Sequence, residues 1–389
     1  MTLATQLPRG WERTAPALYV LAGDRGAERT AALQHQIDMA RLDGCRTWLL
    51  SCDFDEGGPW AGIRDLLRSI VPNLTASRPE LLERHSYELV HVLPTLRRQV
   101  TVRNESLTDV SLGSERVRNF PADRAIRSIH GLVDLLMEAR EASDGPWVLA
   151  CDSLDRIGPI GKRFFCELLR RRGRDLGLVV LAGTDPAGAA ELQADFTAVA
   201  HCETFSVPCR PGWPKVPGPA ENLRRAQEME ERTHNKIEMQ ELIPDLIRAW
   251  REAGDESQAF RWQLKALELY PTLGFYEDAL RYSEAVRSAV AYQALEQADL
   301  RWMVFFKTFA SLAALQRPEL ALQLAEDEGL CRLYDVRPMF RAQIFYLLAM
   351  LYVRFLPQRD FEKGEALLER GIVEVERIAD PEDRAFSHV

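Results

Sequence analysis

Residues 17 to 30, Ala-Leu-Tyr-Val-Leu-Ala-Gly-Asp-Arg-Gly-Ala-Glu-Arg-Thr, form an apolar run that stops at Gly23 and opens toward an amphipathic stretch from Thr30 onward. Strand, glycine turn and helix is the plan of a phosphate-binding loop, whose intact form is G-x-x-x-x-G-K-[ST]. Its glycines let backbone N–H groups close on the phosphates, its lysine reaches the β- and γ-phosphates, and its hydroxyl ligates Mg2+. Gly23, Gly26 and Thr30 are in place, but Glu28 stands where the second glycine should be and Arg29 where the lysine should be. Glu28 sets a carboxylate and a Cβ where the backbone must approach a polyanion. Arg29 keeps the charge, yet a planar fork on a longer stem does not replace a compact ammonium. The stretch predicts a nucleotide-binding fold that lacks what ordinary ATP hydrolysis needs.

The loss extends beyond the loop. Only six of the 49 basic residues are lysine and the first is Lys162, so the N-terminal region has no lysine to serve phosphate. At 389 residues the chain has room for two or three domains. No apolar run approaches the roughly 18 residues that span a bilayer, and no basic-then-apolar leader opens the chain, so the expectation is a cytoplasmic protein with no membrane partner. A net charge of −9 argues against nucleic acid as a partner of the whole chain, because neutralising phosphates needs a basic face. Seven cysteines without short paired spacing read as reduced thiols. His201, Cys202 and Cys209 lack the C-x-x-C partner of a metal site and read as groups at a strand end.

Taken in order, strand signals fall at 17–22, 46–52, 147–151, 178–182 and 198–207. Helical spacing falls at 29–42, with Ala32, Leu33, Ile37 and Ala40 on one face, and again at 59–96 and 123–140. The first strand, helix and second strand make a βαβ unit with a right-handed crossover. Residues 101–123 are polar, lack a period and read as a surface loop. The third strand ends in Asp152 as a Walker B segment does, because a carboxylate there can hold Mg2+. Ser153 stands where a second acid would polarise water, with Asp155 as a displaced candidate. The fourth strand runs into Gly183-Thr-Asp-Pro186, where a sensor residue is expected. The alternative keeps Gly23 and Gly26 as a plain tight turn and Asp152 as a cap.

On these residues, Gly23 to Thr30, Cys52 to Leu67 with Pro59 and Trp60, and Trp147 to Asp155, the chain from 17 to 207 resembles the NTPase domain of signal-transduction ATPases with numerous domains. That group includes large LuxR-type and adenylyl-cyclase-linked bacterial regulators. The resemblance implies an AAA-like α/β P-loop domain binding ATP or ADP with Mg2+ through Gly23, Gly26, Arg29, Thr30 and Asp152. The departures at Glu28, Arg29 and Ser153 make it a degenerate member.

Residues 208–219 hold five prolines and two glycines, which no helix or central strand tolerates, and read as a stiff linker. The expected division is a P-loop-like domain over 1–207, the linker at 208–219 and an all-α domain over 220–389. Leu246, Ile247, Trp250, Gly254, Ala259, Ala266 and Pro271 fall on the 34-residue tetratricopeptide framework, with small residues where two helices cross and proline where the second ends. The match resembles that repeat family; looser copies follow at 306–328 and 344–375, with part of a further hairpin at 276–289. The many aromatics here read mostly as packing between helices. Residues 381–389 carry no amphipathic capping helix, which leaves the array to be completed by another chain or marks a shortened relative.

No Ser/His/Asp, Cys/His or metal-ligand spacing marks another catalytic site. The expected function is therefore a non-catalytic regulatory or accessory protein. A pseudo-NTPase domain serves as scaffold, and the repeats, alone or in an oligomer, bind another protein. The alternative is a nucleotide-driven switch with residual ATPase activity, or a transcriptional regulator, although no helix-turn-helix pattern follows residue 376.

Overall fold

The computed structural model describes residues 15–23, 27–102, 121–141, 144–207, 219–231, 233, 236–293, 297–333 and 337–379. The five segments with strand signals pair as one parallel sheet: β1 (Ala17–Ala22), β2 (Arg46–Ser51), β3 (Trp147–Asp152), β4 (Val179–Thr184) and β5 (His201–Ser206), in the order β2-β3-β4-β1-β5. β1 lies between β4 and the edge strand β5, in register Leu18↔Val180 on one side and Leu18↔Cys202 on the other. Its residues and those of β3 and β4 are buried almost throughout, as strands covered on both faces must be. β5 is a polar, largely exposed edge strand.

Helix α1 (Ala27–Leu42) links β1 to β2, and its Ala32, Leu33, Ile37 and Ala40 join Ala17, Tyr19 and Leu21 of β1, Val148 and Ala150 of β3, and Val179 and Leu181 of β4 in one core. These strand residues alternate, so α1 covers one face of the sheet. The chain then passes through α2 (Ile63–Ser77), α3 (Pro79–Arg84), α4 (Ser86–Val92) and α5 (Pro121–Ala139) into β3, through α6 (Pro159–Leu176) into β4, and through α7 (Ala189–Phe196) into β5. From β1 to β2 the chain crosses the sheet in one direction, and from β2 through to β5 it moves in the other. Right-handed crossovers therefore send it over opposite faces after β1 and after β4. Those two strands are neighbours, so the crevice at their carboxyl ends is a topological switch point, where open α/β sheets bind ligands.

Contacts divide the chain into two units, 1–259 and 260–389. The sequence places the start of the helical half at 220, but α8 (Pro219–Glu231) and α9 (Lys236–Glu252) fall in the first unit with the sheet. Buried Arg64 of α2 ties α9 down: its guanidinium donates to the carbonyls of Glu241 and Gly57, and Asp245 lies 3.8 Å away. The Glu241 carboxylate is itself buried, paired with Arg68 and accepting from the Thr95 hydroxyl at 2.9 Å. Polar pairing over 177 residues of chain leaves no trace in local periodicity. The linker expected at 208–219 lies outside the described residues except for Pro219, which opens α8.

Helix α10 (Glu256–Leu273) spans the division, and Pro271 lies within it rather than at its end. The second unit continues with α11 (Tyr276–Ser288), α12 (Ala298–Ala314), α13 (Pro318–Leu324), a π-helical stretch over 325–333, α14 (Pro338–Met350), a π-helical turn over 351–355, and α15 (Phe361–Glu376). Phe305, Phe309, Leu324, Ile344, Phe345 and Leu367 form its core. Most of the expected packing aromatics are buried, Tyr270, Phe275, Tyr282, Phe305 and Phe309 among them. Gly364 and Gly371 of α15 face Val353 and Phe345 so closely that the two helices meet backbone to side chain. Among the described residues no helix is long and apolar enough to cross a membrane.

Candidate functional site

Three strands and one helix deliver side chains to the switch point. Gly23 follows β1, Asp152 ends β3, Asp185 follows β4, and Arg29 and Thr30 occupy the first turn of α1. Gly23 accepts no side chain: a Cβ there would stand 2.8 Å from that of Val207, because its amide donates to Thr184 while the Val207 amide donates to Ala22. The turn is thus held between two neighbouring strands.

Arg29 is 1% exposed and is the second-largest side chain to be so fully enclosed. Its Nε donates to Asp152 Oδ1 at 2.8 Å, one Nη to Asp185 Oδ1 at 2.9 Å and to the Gly23 carbonyl at 3.4 Å, and the other Nη to Ser153 Oγ at 2.7 Å. The second oxygen of Asp152 accepts from the Thr30 hydroxyl at 2.6 Å. Gly183 makes room for this arrangement, since a Cβ there would lie 3.0 Å from Asp152 Oδ1 and 3.3 Å from Arg29 Nε. Ser153 is held at φ 58°, a left-handed backbone conformation that costs a non-glycine residue about 1–3 kcal/mol, and in it the hydroxyl meets the guanidinium.

The site therefore brings together four of the five residues singled out from sequence: Gly23, Arg29, Thr30 and Asp152. The fifth, Gly26, lies outside the described residues, as does the Glu28 side chain. Arg29 points to carboxylates rather than outward as a phosphate ligand would. Asp185 and Ser153 are the partners that sequence reasoning did not assign to Arg29; the available signal was that each follows an apolar strand at the same sheet edge as Asp152. Asp155 is not part of the cluster. It lies against Gly188 at the start of α7, and its neighbour Arg156 pairs with Asp53 and Asp55 after β2.

Chemically, one guanidinium is set against two carboxylates, which leaves net negative charge at the N-terminus of α1, where a phosphate would have to sit. The residues do not fit a magnesium nucleotide in this arrangement. The carboxylate and hydroxyl that would hold the ion are bound to Arg29 and to each other, and the guanidinium that would meet phosphate is used by protein oxygens. The Cys52 thiol is not activated, because burial, and then the adjacent Cys151 thiol, push it well above its usual range. Among the described residues no group of three or more His, Cys, Asp or Glu side chains could hold a metal ion, and Cys209 lies outside them.

The fold and site define an α/β protein with a five-stranded parallel sheet, an accompanying helical unit, and an arginine enclosed by carboxylates at the sheet's switch point. Comparison with protein-family models, with curated proteins and with solved structures finds no match to this chain.

Proposed function

We propose that the chain is a non-catalytic regulatory or accessory protein: a pseudo-NTPase domain of P-loop type serves as a nucleotide-independent scaffold, and tetratricopeptide-like helices bind another protein. The carrying observation is the enclosed Arg29, whose donors engage Asp152, Ser153, Asp185 and the Gly23 carbonyl. A nucleotide would have to break these bonds, desolvate its own phosphates and accept two nearby carboxylates. The internal cation thus supports the fold and opposes the ligand with one set of contacts.

Calorimetric titration of ATP and of ADP with Mg2+ into the full chain tests this, with Asp152→Ala as control. The expected result is no heat and no thermal shift at millimolar nucleotide. Micromolar binding that Asp152→Ala abolishes would refute the scaffold and make the chain a nucleotide switch.

A further inference from the structure

Helix α15 turns one side to the core and the other to solvent. Gly364, Leu367, Gly371, Glu374 and Val375 are buried. At about 100° per residue, Phe361, Leu368 and Ile372 fall together on one flank, about 90° round from the centre of the buried side, and they are 61%, 41% and 60% exposed. Glu365, Glu369 and Glu376 follow by the same count toward the side opposite the core, with Glu362 beyond them, and all four are exposed.

The glutamates separate this face from ordinary solvated helix surface. Glu374, on the inner side, is buried and held by Arg341 at 2.8 Å and Arg377 at 2.9 Å. None of Glu362, Glu365, Glu369 or Glu376 has a hydrogen bond or ion pair among the described residues, although α15 carries Lys363 and Arg370. Lys363 turns instead to the Tyr352 ring and hydroxyl, and Arg370 to the Phe345 ring. The helix thus uses its own cations elsewhere and leaves an apolar stripe beside a row of unneutralised carboxylates. At the Phe361 end, an open cavity of 850 Å³ lined by Tyr352, Leu356, Pro357 and Arg359 gives the stripe a concave start.

We infer that this face of α15 docks a basic amphipathic helix, whose apolar residues lie along Phe361, Leu368 and Ile372 and whose Lys or Arg residues meet Glu365, Glu369 and Glu376. The inference rests on the reading of the helical unit as an interaction module and names its surface and the chemistry of its partner. Apolar contact supplies area, and the carboxylates select the sign of the partner's charge and its register.

The test is fluorescence anisotropy of the full chain with three labelled helical peptides of about 18 residues, sharing one leucine stripe and differing only in flanking Lys, Gln or Glu. The Lys peptide should bind about tenfold or more tighter than the Glu peptide at low ionic strength, and the advantage should shrink with salt. Ile372→Glu and Leu368→Glu should abolish binding, although each makes the chain more acidic, which separates docking from bulk attraction. Both positions are exposed, so the variants should keep the wild-type circular dichroism. Glu365→Gln with Glu369→Gln should keep binding and erase most of the charge preference.

Failure of the Lys peptide to bind at about 100 μM (roughly −5.5 kcal/mol), or equal binding of all three peptides, overturns the inference. Binding untouched by Ile372→Glu also overturns it, but leaves the helical unit as an interaction module acting elsewhere. A dimer in sedimentation velocity that Ile372→Glu dissociates replaces the basic helix with a second copy of the chain.

Discussion

Asp278, in the first turn of α11, is fully buried, and neither carboxyl oxygen has a hydrogen-bond partner on another residue among those described. Burial pushes its pKa up from 3.8 to about 8, against the opposing pull of Arg281 and of its own backbone amide, with Glu277 adding to the rise. A carboxyl raised in this way holds its proton in the folded state when the unfolded chain has lost it. Stability therefore falls as pH rises from about 4 to about 8 and levels off above that. The roughly three pH units between 3.8 and neutrality, at about 1.4 kcal/mol each, amount to about 4 kcal/mol at pH 7. Asp278→Asn keeps the shape and cannot ionise. Its buried amide carries a penalty similar to that of the neutral acid, about 1–3 kcal/mol, which cancels in the comparison. Urea unfolding of both proteins at pH 4.5, 6 and 7.5, followed by tryptophan fluorescence, should show little difference at the lowest pH and a widening gap above it, with the asparagine variant the more stable. Parallel curves for the two proteins between pH 5 and 8 would refute a buried neutral acid at position 278.

Two further substitutions probe the sheet unit. Arg29→Ala should destabilise it by about 3–5 kcal/mol in urea unfolding, because Asp152 and Asp185 lose their shared cation, whereas Arg29→Met, which refills the volume but leaves the same two carboxylates without a cation, should recover only the packing part of that loss. Arg64→Ala removes the buried donor shared by the Glu241 and Gly57 carbonyls and should cost about 3 kcal/mol, read as loss of amide-exchange protection in residues 236–252 ahead of the sheet.

How much of the site was legible follows from where its partners lie. Gly23 announces itself as the break in an apolar run, and Asp152 as the acid that ends another. Both are local signals, and both sit where the sequence places them. The destination of Arg29 is not local: its carboxylates lie 123 and 156 residues away, and only a sheet that sets β1 beside β4 with β3 next in order brings them within reach. The guanidinium also has two physically sensible uses, a phosphate or a pair of carboxylates. Residue type cannot choose between them, and packing can. The same holds for α9, whose helical period is evident but whose attachment to the loop after β2 depends on Arg64 and Glu241 meeting across the fold.

The sequence by itself determined the elements: five strand segments, the glycine turn, the helical second half, and the absence of an intact phosphate loop. Those are properties of neighbours along the chain, where hydrophobic period and backbone freedom act over a few residues. Tertiary structure alone decided that Arg29 is enclosed, that Asp185 and Ser153 complete its shell, that the buried Asp278 carboxyl meets no hydrogen-bonding partner on another described residue, and that α15 leaves its outer glutamates unpaired among the described residues. Burial and charge pairing depend on residues far apart in the chain, and only the folded core brings them together.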